Sequence, residues 1–278
     1  MMNIENKANE LIGKARAEKN QYHKNSNVRL TPRDLDMLEF INDMKFASVK
    51  EVHERFFIRK SDKLERPVFA AKNRLYALST GGYLTTEKIG EPDITAFVVT
   101  QKGVLALSNF KPMRSHPKAL GKIEMAVFHH DYAVLKARLF LEKHNFISSW
   151  MSERLMEAEA KVTGGLSTDY HPDAIYVLPT GERVAFEFER TSKNRDRYLK
   201  KINKFYDLIK ESENPIFEKV QYVCVMPAIQ KMITSLSEMY REHFQAEMVD
   251  EFIKRVESTD VRLDNLKSEN PTEAQVVA

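Results

Sequence analysis

The chain has 278 residues, of which 30% are charged and 42% are hydrophobic, enough for a packed core in one large domain or two modest ones. No apolar run approaches about 20 residues and the start lacks the apolar centre of a signal peptide, which argues against membrane and secreted proteins. Cys224 is the single cysteine, so an intrachain disulfide is excluded. Together these features predict a cytoplasmic protein that does not bind membranes.

The net charge of +3 conceals a difference between the two halves of the chain. Residues 1–123 carry 22 Lys and Arg against 14 Asp and Glu, a net charge of +8. Residues 124–278 carry 21 against 26, a net charge of −5. A basic half is typical of a protein that binds a polyanion, and random variation of a charged surface is the alternative.

The N-terminal half begins with a polar segment, residues 1–28, which predicts a flexible basic arm. Helical patterns follow from residue 29. Thr31 and Ser48 are predicted N-caps of two successive helices, because each is followed three positions later by an acidic residue. A third helix carries one apolar face and ends at a pair of glycines. That inward face consists of Val68, Ala71, Leu75 and Leu78.

A hairpin pattern after the third helix completes a layout typical of a winged helix-turn-helix, here over residues 29–108. In that fold the third helix enters the major groove of DNA and the hairpin forms the wing. Other winged helices bind proteins or serve only in structure. The candidate DNA contacts on the third helix and the wing are Lys72, Asn73, Arg74, Tyr76 and Lys88.

Residues 109–123 contain two prolines and five basic residues, counting the histidine, which predicts a linker. Helix and strand patterns then alternate over residues 124–255. This alternation predicts a fold of the α/β class (α+β overall), a mixed sheet flanked by helices as in restriction endonucleases. Residues 256–278 are polar and are predicted to form a loose tail.

Residues 171–206 read as a hairpin that runs into a basic helix. In the second strand, Arg183–Glu189, side chains alternate so that Glu187 and Glu189 share one face. Strands lie about 4.8 Å apart, so Asp173 on the preceding strand can bring a third carboxylate to this pair. Carboxylates that converge need a cation, and Mg²⁺ or Mn²⁺ is expected. The acidic face of a half-buried edge strand is the alternative.

The same stretch resembles the core of PD-(D/E)xK nucleases, in which a sheet edge holds Mg²⁺ and water attacks a DNA phosphodiester. The resemblance implies that Asp173, Glu187 and Glu189 are metal ligands and catalytic residues. The position two residues after Glu187 is a glutamate where the pattern has a lysine. The nearest candidate for the catalytic lysine is Lys193, at the start of the next helix.

A longer resemblance covers roughly residues 30–226. The predicted winged helix, the motifs HHDYAV and WMSE, and the hairpin with its basic helix are similar to the replication-relaxation family. That family includes the MobC-type relaxases of mobilisable plasmids. It implies nicking of double-stranded DNA, intact or locally melted, at a specific origin, with accessory mobilisation or replication proteins. The resemblance also places His130 and Glu153 at family-like positions. The protein is expected to be a monomer or a homodimer.

Several alternatives remain open in the sequence. His129 and His130 point about 100° apart on a helix, so they cannot form a compact pair, and one buried and one exposed histidine is the ordinary interpretation. Activated water is the more natural nucleophile, although a tyrosine is an alternative. The candidate tyrosines are Tyr170, Tyr198 and Tyr206. The basic helix is either a phosphate-binding surface or a solvated face. Its candidate phosphate contacts are Arg190, Arg197, Lys200, Lys201 and Lys204.

Two other functions compete with nicking. A replication or transcription regulator would bind DNA through an inactive nuclease-like domain, as the missing lysine at position 189 suggests. A restriction-type endonuclease would share the metal chemistry but cut both strands.

Overall fold

The computed structural model describes residues 28–59, 64–65, 67–90, 93–163 and 171–269. The chain divides into two compact units, Met1–Ile123 and Glu124–Ala278. The protein is of the mixed α/β class and contains a five-stranded mixed sheet in its second unit. The predicted basic arm lies, except for Val28, outside the described residues.

The first unit opens with helices whose starts are dictated by local hydrogen bonds. Thr31 and Ser48 each form the predicted capping box, with Asp34 and Glu51, and these predictions are confirmed. In the described part of this unit the helices are α1 (Pro32–Asp43), α2 (Val49–Phe56), α3 (Val68–Thr80) and α4 (Gln101–Phe110). Between α2 and α3, the short strands β1 (Ile58–Arg59) and β2 (Leu64–Glu65) pair antiparallel.

The predicted hairpin after α3 is confirmed as the antiparallel strands β3 (Leu84–Ile89) and β4 (Ile94–Val99). Gly82 makes the turn into it with a φ of 75°, a left-handed conformation that favours glycine. Ala47, between α1 and α2, pairs with Phe97 of β4 through backbone hydrogen bonds of 3.2 and 2.8 Å. This pairing ties the hairpin to the helices and was not predicted.

The segment predicted as a linker is bonded along the first unit instead of forming a free tether. Lys111 and Arg114 form ion pairs with acidic side chains of α1. Asn42 Nδ2 donates to the Pro117 carbonyl (2.8 Å), and the Ile123 N–H donates to Glu87 (3.1 Å). Part of the excess positive charge of this half is therefore neutralised within the unit.

The second unit is built on one sheet with the order β5-β6-β7-β8-β9. The first three strands pair antiparallel and the last three pair parallel. The strands are β5 (Ser149–Ser152), β6 (Ala174–Val177), β7 (Arg183–Glu189), β8 (Lys219–Cys224) and β9 (Phe244–Met248). The described helices are α5 (Phe128–Lys143), α6 (Glu153–Thr163), α7 (Arg195–Lys210), α8 (Pro227–Ser237) and α9 (Val249–Glu269), with a 3-10 turn at Glu238–Tyr240.

Both faces of the central strand β7 are covered. On one face, Ala185 belongs to an apolar cluster with Tyr198 and Ile202 of α7 and Ile229 of α8. On the other face, Phe186 contacts aromatic rings that include Phe252 of α9. The alternative of a half-buried edge strand is therefore wrong, because β7 is the middle strand of the sheet.

The C-terminal segment and the side chain of Val68 differ from the sequence predictions. The loose tail predicted from residue 256 begins as an ordered helix, since α9 continues to Glu269 and buries Phe252 and Val256 one helical turn apart. Val68, predicted to face the core, is 52% exposed because it starts α3 at the edge of the apolar stripe. No described helix is both long enough and apolar enough to cross a membrane.

Candidate functional site

Asp173 lies immediately before β6 and is held by hydrogen bonds from two other elements. Its Oδ2 accepts the N–H of Phe188 on β7 (2.8 Å), and its Oδ1 lies 3.1 Å from Nε2 of His130 on α5. Its carbonyl accepts the N–H of Glu153, the first residue of α6 (3.1 Å). The structure thus brings both residues implied by the longer resemblance, His130 and Glu153, to Asp173.

Glu187 of β7 is almost fully buried, with 1% of its surface exposed. Lys201 Nζ of α7 lies 2.7 Å from each of its oxygens, but the hydrogen-bond geometry is met only at Oε2. Oε1 is buried without a well-directed donor among the described residues. Burial, with the nearby charges of Asp173 and Glu189, raises the pKa of Glu187 to about 8 despite the opposing effect of Lys201.

The three titratable groups around Glu187 favour their charged forms, unlike Glu187 itself. Burial opposes ionisation of Asp173, but the hydrogen bond and charge of His130, followed by the charge of Lys201, bring its pKa below the ordinary value. Burial also opposes the charge of Lys201, yet Glu187 and Asp173 raise its pKa. The pKa of His130 is raised by Asp173 against the effect of burial. Two carboxylates, a lysine and a histidine therefore form one coupled cluster.

Two lysines contact the carboxylates of β7, and the contact of Lys201 was not predicted. Lys193, the candidate catalytic lysine, donates to Oε1 of Glu189 (2.7 Å). Lys201, expected to contact phosphates, instead reaches Glu187. At 100° per residue, Lys201 lies about 70° from the centre of the apolar stripe of α7, whereas Lys200 points away from it. That stripe is formed by Tyr198, Ile202, Phe205 and Ile209. That position at the stripe edge is the sequence signal that could have identified Lys201.

Tyr222 is a residue that sequence reasoning missed. It lies directly opposite Glu187 on the parallel strand β8 and is fully buried. Its hydroxyl has no hydrogen-bond partner among the described residues, and burial with the charge of Glu187 raises its pKa well above the usual range. A tyrosine in an apolar strand reads as core, so only the strand register shows that it borders the carboxylates.

The candidate nucleophilic tyrosines lie in different surroundings. Tyr198 is buried with its hydroxyl 3.4 Å from Oε2 of Glu189, and burial raises its pKa to about 12. Tyr206 stacks on Tyr240 with ring centroids 3.9 Å apart. Tyr170 lies outside the described residues. Neither described tyrosine combines an exposed hydroxyl with a position at Asp173.

The remaining basic candidates of the second unit form a surface beside the cluster. Arg190, directly after β7, is exposed. On α7, Arg197 and Lys200 are exposed and Lys204 is half-buried, on the helix face turned away from the sheet. Lys201 of the same helix instead reaches Glu187.

In the first unit, the candidates on α3 separate into exposed and internal groups. Lys72, Asn73 and Tyr76 are exposed on one face. The guanidinium of Arg74 instead forms an ion pair with Asp34 of α1, which removes it from that face. Lys88 is exposed on β3, one residue before the turn of the hairpin.

The carboxylates Asp173 and Glu187 have the donor chemistry of a divalent-cation site. The described residues include no group of three His, Cys, Asp or Glu side chains arranged to hold a metal. Mg²⁺, however, keeps several waters and commonly takes one or two carboxylates together with substrate phosphates. Asp173 and Glu187 supply hard oxygen donors of this kind, and the buried Oε1 of Glu187 lacks a well-directed donor, so this pair fits such an ion.

Comparison of the chain with family models, curated proteins and solved structures finds no match.

Proposed function

We propose that the protein is a metal-dependent DNA endonuclease that nicks one strand at a specific origin of plasmid or mobile-element DNA, as implied by its resemblance to MobC-type relaxases. The observation that carries the proposal is the buried Glu187 on a central strand, with Asp173 beside it and Lys201 above it. A carboxylate kept in such a costly place suggests a task other than stability, because like charges and burial both oppose its ionisation.

In the proposed reaction, Asp173 and Glu187 would hold Mg²⁺ or Mn²⁺, and the ion would supply an activated water and polarise the scissile phosphate. Glu189, held by Lys193, borders the site. The ammonium of Lys201 stabilises the charge that develops on the scissile phosphate. This places Lys201, and not Lys193, in the role of the PD-(D/E)xK lysine.

Recognition of DNA is assigned to the first unit. The order of three helices and a hairpin, and the pairing of Ala47 with Phe97, support a winged helix-turn-helix. In this arrangement α3 enters the major groove and Lys88 contacts the backbone from the wing. The exposed basic side chains of the second unit are proposed to bind phosphates of the DNA backbone. These basic side chains belong to Arg190, Arg197, Lys200 and Lys204.

A second candidate is a DNA-binding regulator with an inactive nuclease-like domain. The observation that favours it is that each carboxylate already has a cationic or hydrogen-bonding partner: Lys201 at Glu187, Lys193 at Glu189 and His130 at Asp173. A cation would have to compete with these partners. The regulator would bind DNA without metal and without cleavage.

The test uses supercoiled plasmid that carries the DNA flanking this gene, with and without Mn²⁺ or Mg²⁺. Wild type is compared with Glu187→Gln, and the matched control is Glu182→Gln, which alters a carboxylate at the opposite end of β7. We expect relaxed circles that require metal, persist in Glu182→Gln and fall by more than about 100-fold in Glu187→Gln, since even partners that only orient metal ligands contribute about 10- to 100-fold.

Other outcomes select among the alternatives. Linear product in place of relaxed circles would indicate the restriction-type reaction. A gel shift by all three proteins with no metal-dependent cleavage would reject the enzyme and leave the regulator. Equal nicking by wild type and Glu187→Gln would move the chemistry away from this cluster.

A further inference from the structure

The outward face of α3 has an apolar end that the DNA contacts predicted above do not include. At 100° per residue, Phe69, Lys72, Asn73 and Tyr76 fall within one stripe of the helix surface. Phe69 is 63% exposed and Tyr76 is 45% exposed. The stripe therefore has an aromatic ring in the first turn, a cation and an amide in the middle, and a second aromatic ring one turn later.

Phe69 lies outside the buried face of α3. The core side of α3 is filled by Ala71, Leu75 and Leu78, which are fully buried. Tyr76 is anchored, because its ring meets Phe97 of β4 edge-on at 5.5 Å between centroids. The ring of Phe69 and the side chain of Val68 instead present apolar surface to solvent at the start of the helix.

The charge on this face selects the kind of partner. Residues 68–80 contain no Asp or Glu, and Lys72 contributes a positive charge in the middle of the stripe. A helix of this composition suits the major groove, where amides bond adenine, cations bond guanine, and apolar side chains contact the methyl group of thymine. The thymine methyl is the one apolar group that the major-groove edge of DNA offers to an exposed phenylalanine.

We infer that α3 recognises duplex DNA containing thymine, with the ring of Phe69 packed on a thymine methyl group and the Asn73 amide bonded to a neighbouring adenine. The inference rests on the proposed DNA binding by the first unit and does not depend on whether the second unit cleaves. Phe69 and Asn73 are thus specificity-determining residues, whereas Lys88 and the basic side chains of α7 contribute affinity without sequence preference.

The experiment uses the full chain with magnesium omitted, so that binding is measured without cleavage. A duplex is selected from a random-sequence pool, and each thymine in it is then replaced singly by deoxyuridine, which removes only the methyl group. Wild type, Phe69→Ala and the control Leu105→Ala are titrated by fluorescence anisotropy. Leu105 lies on α4 and is similarly exposed, at 51%.

We expect one thymine at which deoxyuridine weakens binding of wild type and Leu105→Ala by about fourfold, the effect of one buried methyl group, and leaves Phe69→Ala unchanged. Asn73→Ala is expected to lose the preference for an adenine next to that thymine. Equal responses of wild type and Phe69→Ala to every replacement would overturn the inference while leaving DNA binding intact.

Two further outcomes separate this inference from the proposed function. Absence of binding to any duplex would reject both. A loss of dimer on Phe69→Ala in analytical ultracentrifugation, with no change in DNA affinity, would show that this face contacts a second copy of the chain and would also overturn the inference.

Discussion

Two buried carboxylates, one in each unit, show how differently the same chemical group can be treated. Asp34 of α1 is fully buried and accepts hydrogen bonds from the backbone and hydroxyl of Thr31 and from the guanidinium of Arg74. Burial opposes its ionisation, but these donors bring its pKa below the ordinary value. Glu187 has one lysine, two neighbouring carboxylates and a poorly satisfied oxygen, and its pKa rises to about 8.

The two carboxylates differ in how completely their oxygens are hydrogen-bonded. At Asp34 each oxygen has a donor, so the carboxylate links α1 to α3 and stabilises the helix start. At Glu187 the Lys201 ammonium lies 2.7 Å from both oxygens, and only Oε2 accepts a well-directed hydrogen bond among the described residues. Buried charge is therefore informative only together with the number of donors around it.

The largest expected effect concerns the two lysines that flank the carboxylates. Lys201→Met should reduce metal-dependent nicking by about 100-fold or more, because a positioned charge that meets the transition state contributes about that much. Lys193→Met should change the nicking rate only a few-fold, since its partner is Glu189, which only borders the proposed metal site. Single-turnover nicking of the same plasmid measures both. A larger loss in Lys193→Met would return the catalytic role to that residue.

The next largest effect is on the free energy of unfolding, which the two buried carboxylates should change by different amounts. Asp34→Asn should lower the free energy of unfolding by about 2 kcal/mol, because it breaks a buried ion pair and a capping box, with some allowance for the partial exposure of Arg74. Glu187→Gln should lower it by less at neutral pH, since a carboxyl with a pKa of about 8 is already largely uncharged there. Urea unfolding of metal-free protein measures both. A greater loss in Glu187→Gln would make Glu187 the more structural carboxylate.

A smaller effect concerns how Asp173 is positioned. His130→Asn should weaken Mn²⁺ binding by about tenfold, because the imidazole fixes one oxygen of Asp173, and partners of metal ligands typically contribute about 10- to 100-fold in affinity. The control is the adjacent, exposed His129→Asn, which should leave affinity unchanged. Calorimetric titration gives both values, and equal affinities in the two variants would exclude a positioning role for His130.

The smallest effect is the pH dependence at Asp34. Its pKa is below 3.8 in the folded protein, so between the two pKa values the unfolded chain binds more protons. Its contribution to stability is thus complete above about pH 5 and is lost as the pH falls through the folded value. The difference in unfolding free energy between wild type and Asp34→Asn should be constant from pH 7 to pH 5 and shrink below pH 3.8. A difference that grows in acid would contradict the ion pair with Arg74.

The sequence by itself determined the local features of this protein. The helix starts at Thr31 and Ser48, the turn at Gly82 and the alternation of β7 follow from hydrogen bonds and side-chain periods that involve neighbours along the chain. The approach of Asp173 to Glu187 was also predictable, because a short hairpin leaves few choices of register.

Only the tertiary structure decided which charges are satisfied and which are not. Arg74 turns inward because Asp34, forty residues earlier, lies across from it, and Lys201 reaches Glu187 because α7 packs its apolar stripe on the sheet. Tyr222 lies opposite Glu187 because β8 pairs parallel with β7, and its hydroxyl has no hydrogen-bond partner among the described residues. Charge satisfaction depends on contacts between distant residues, and a sequence pattern reports only the faces on which those residues stand.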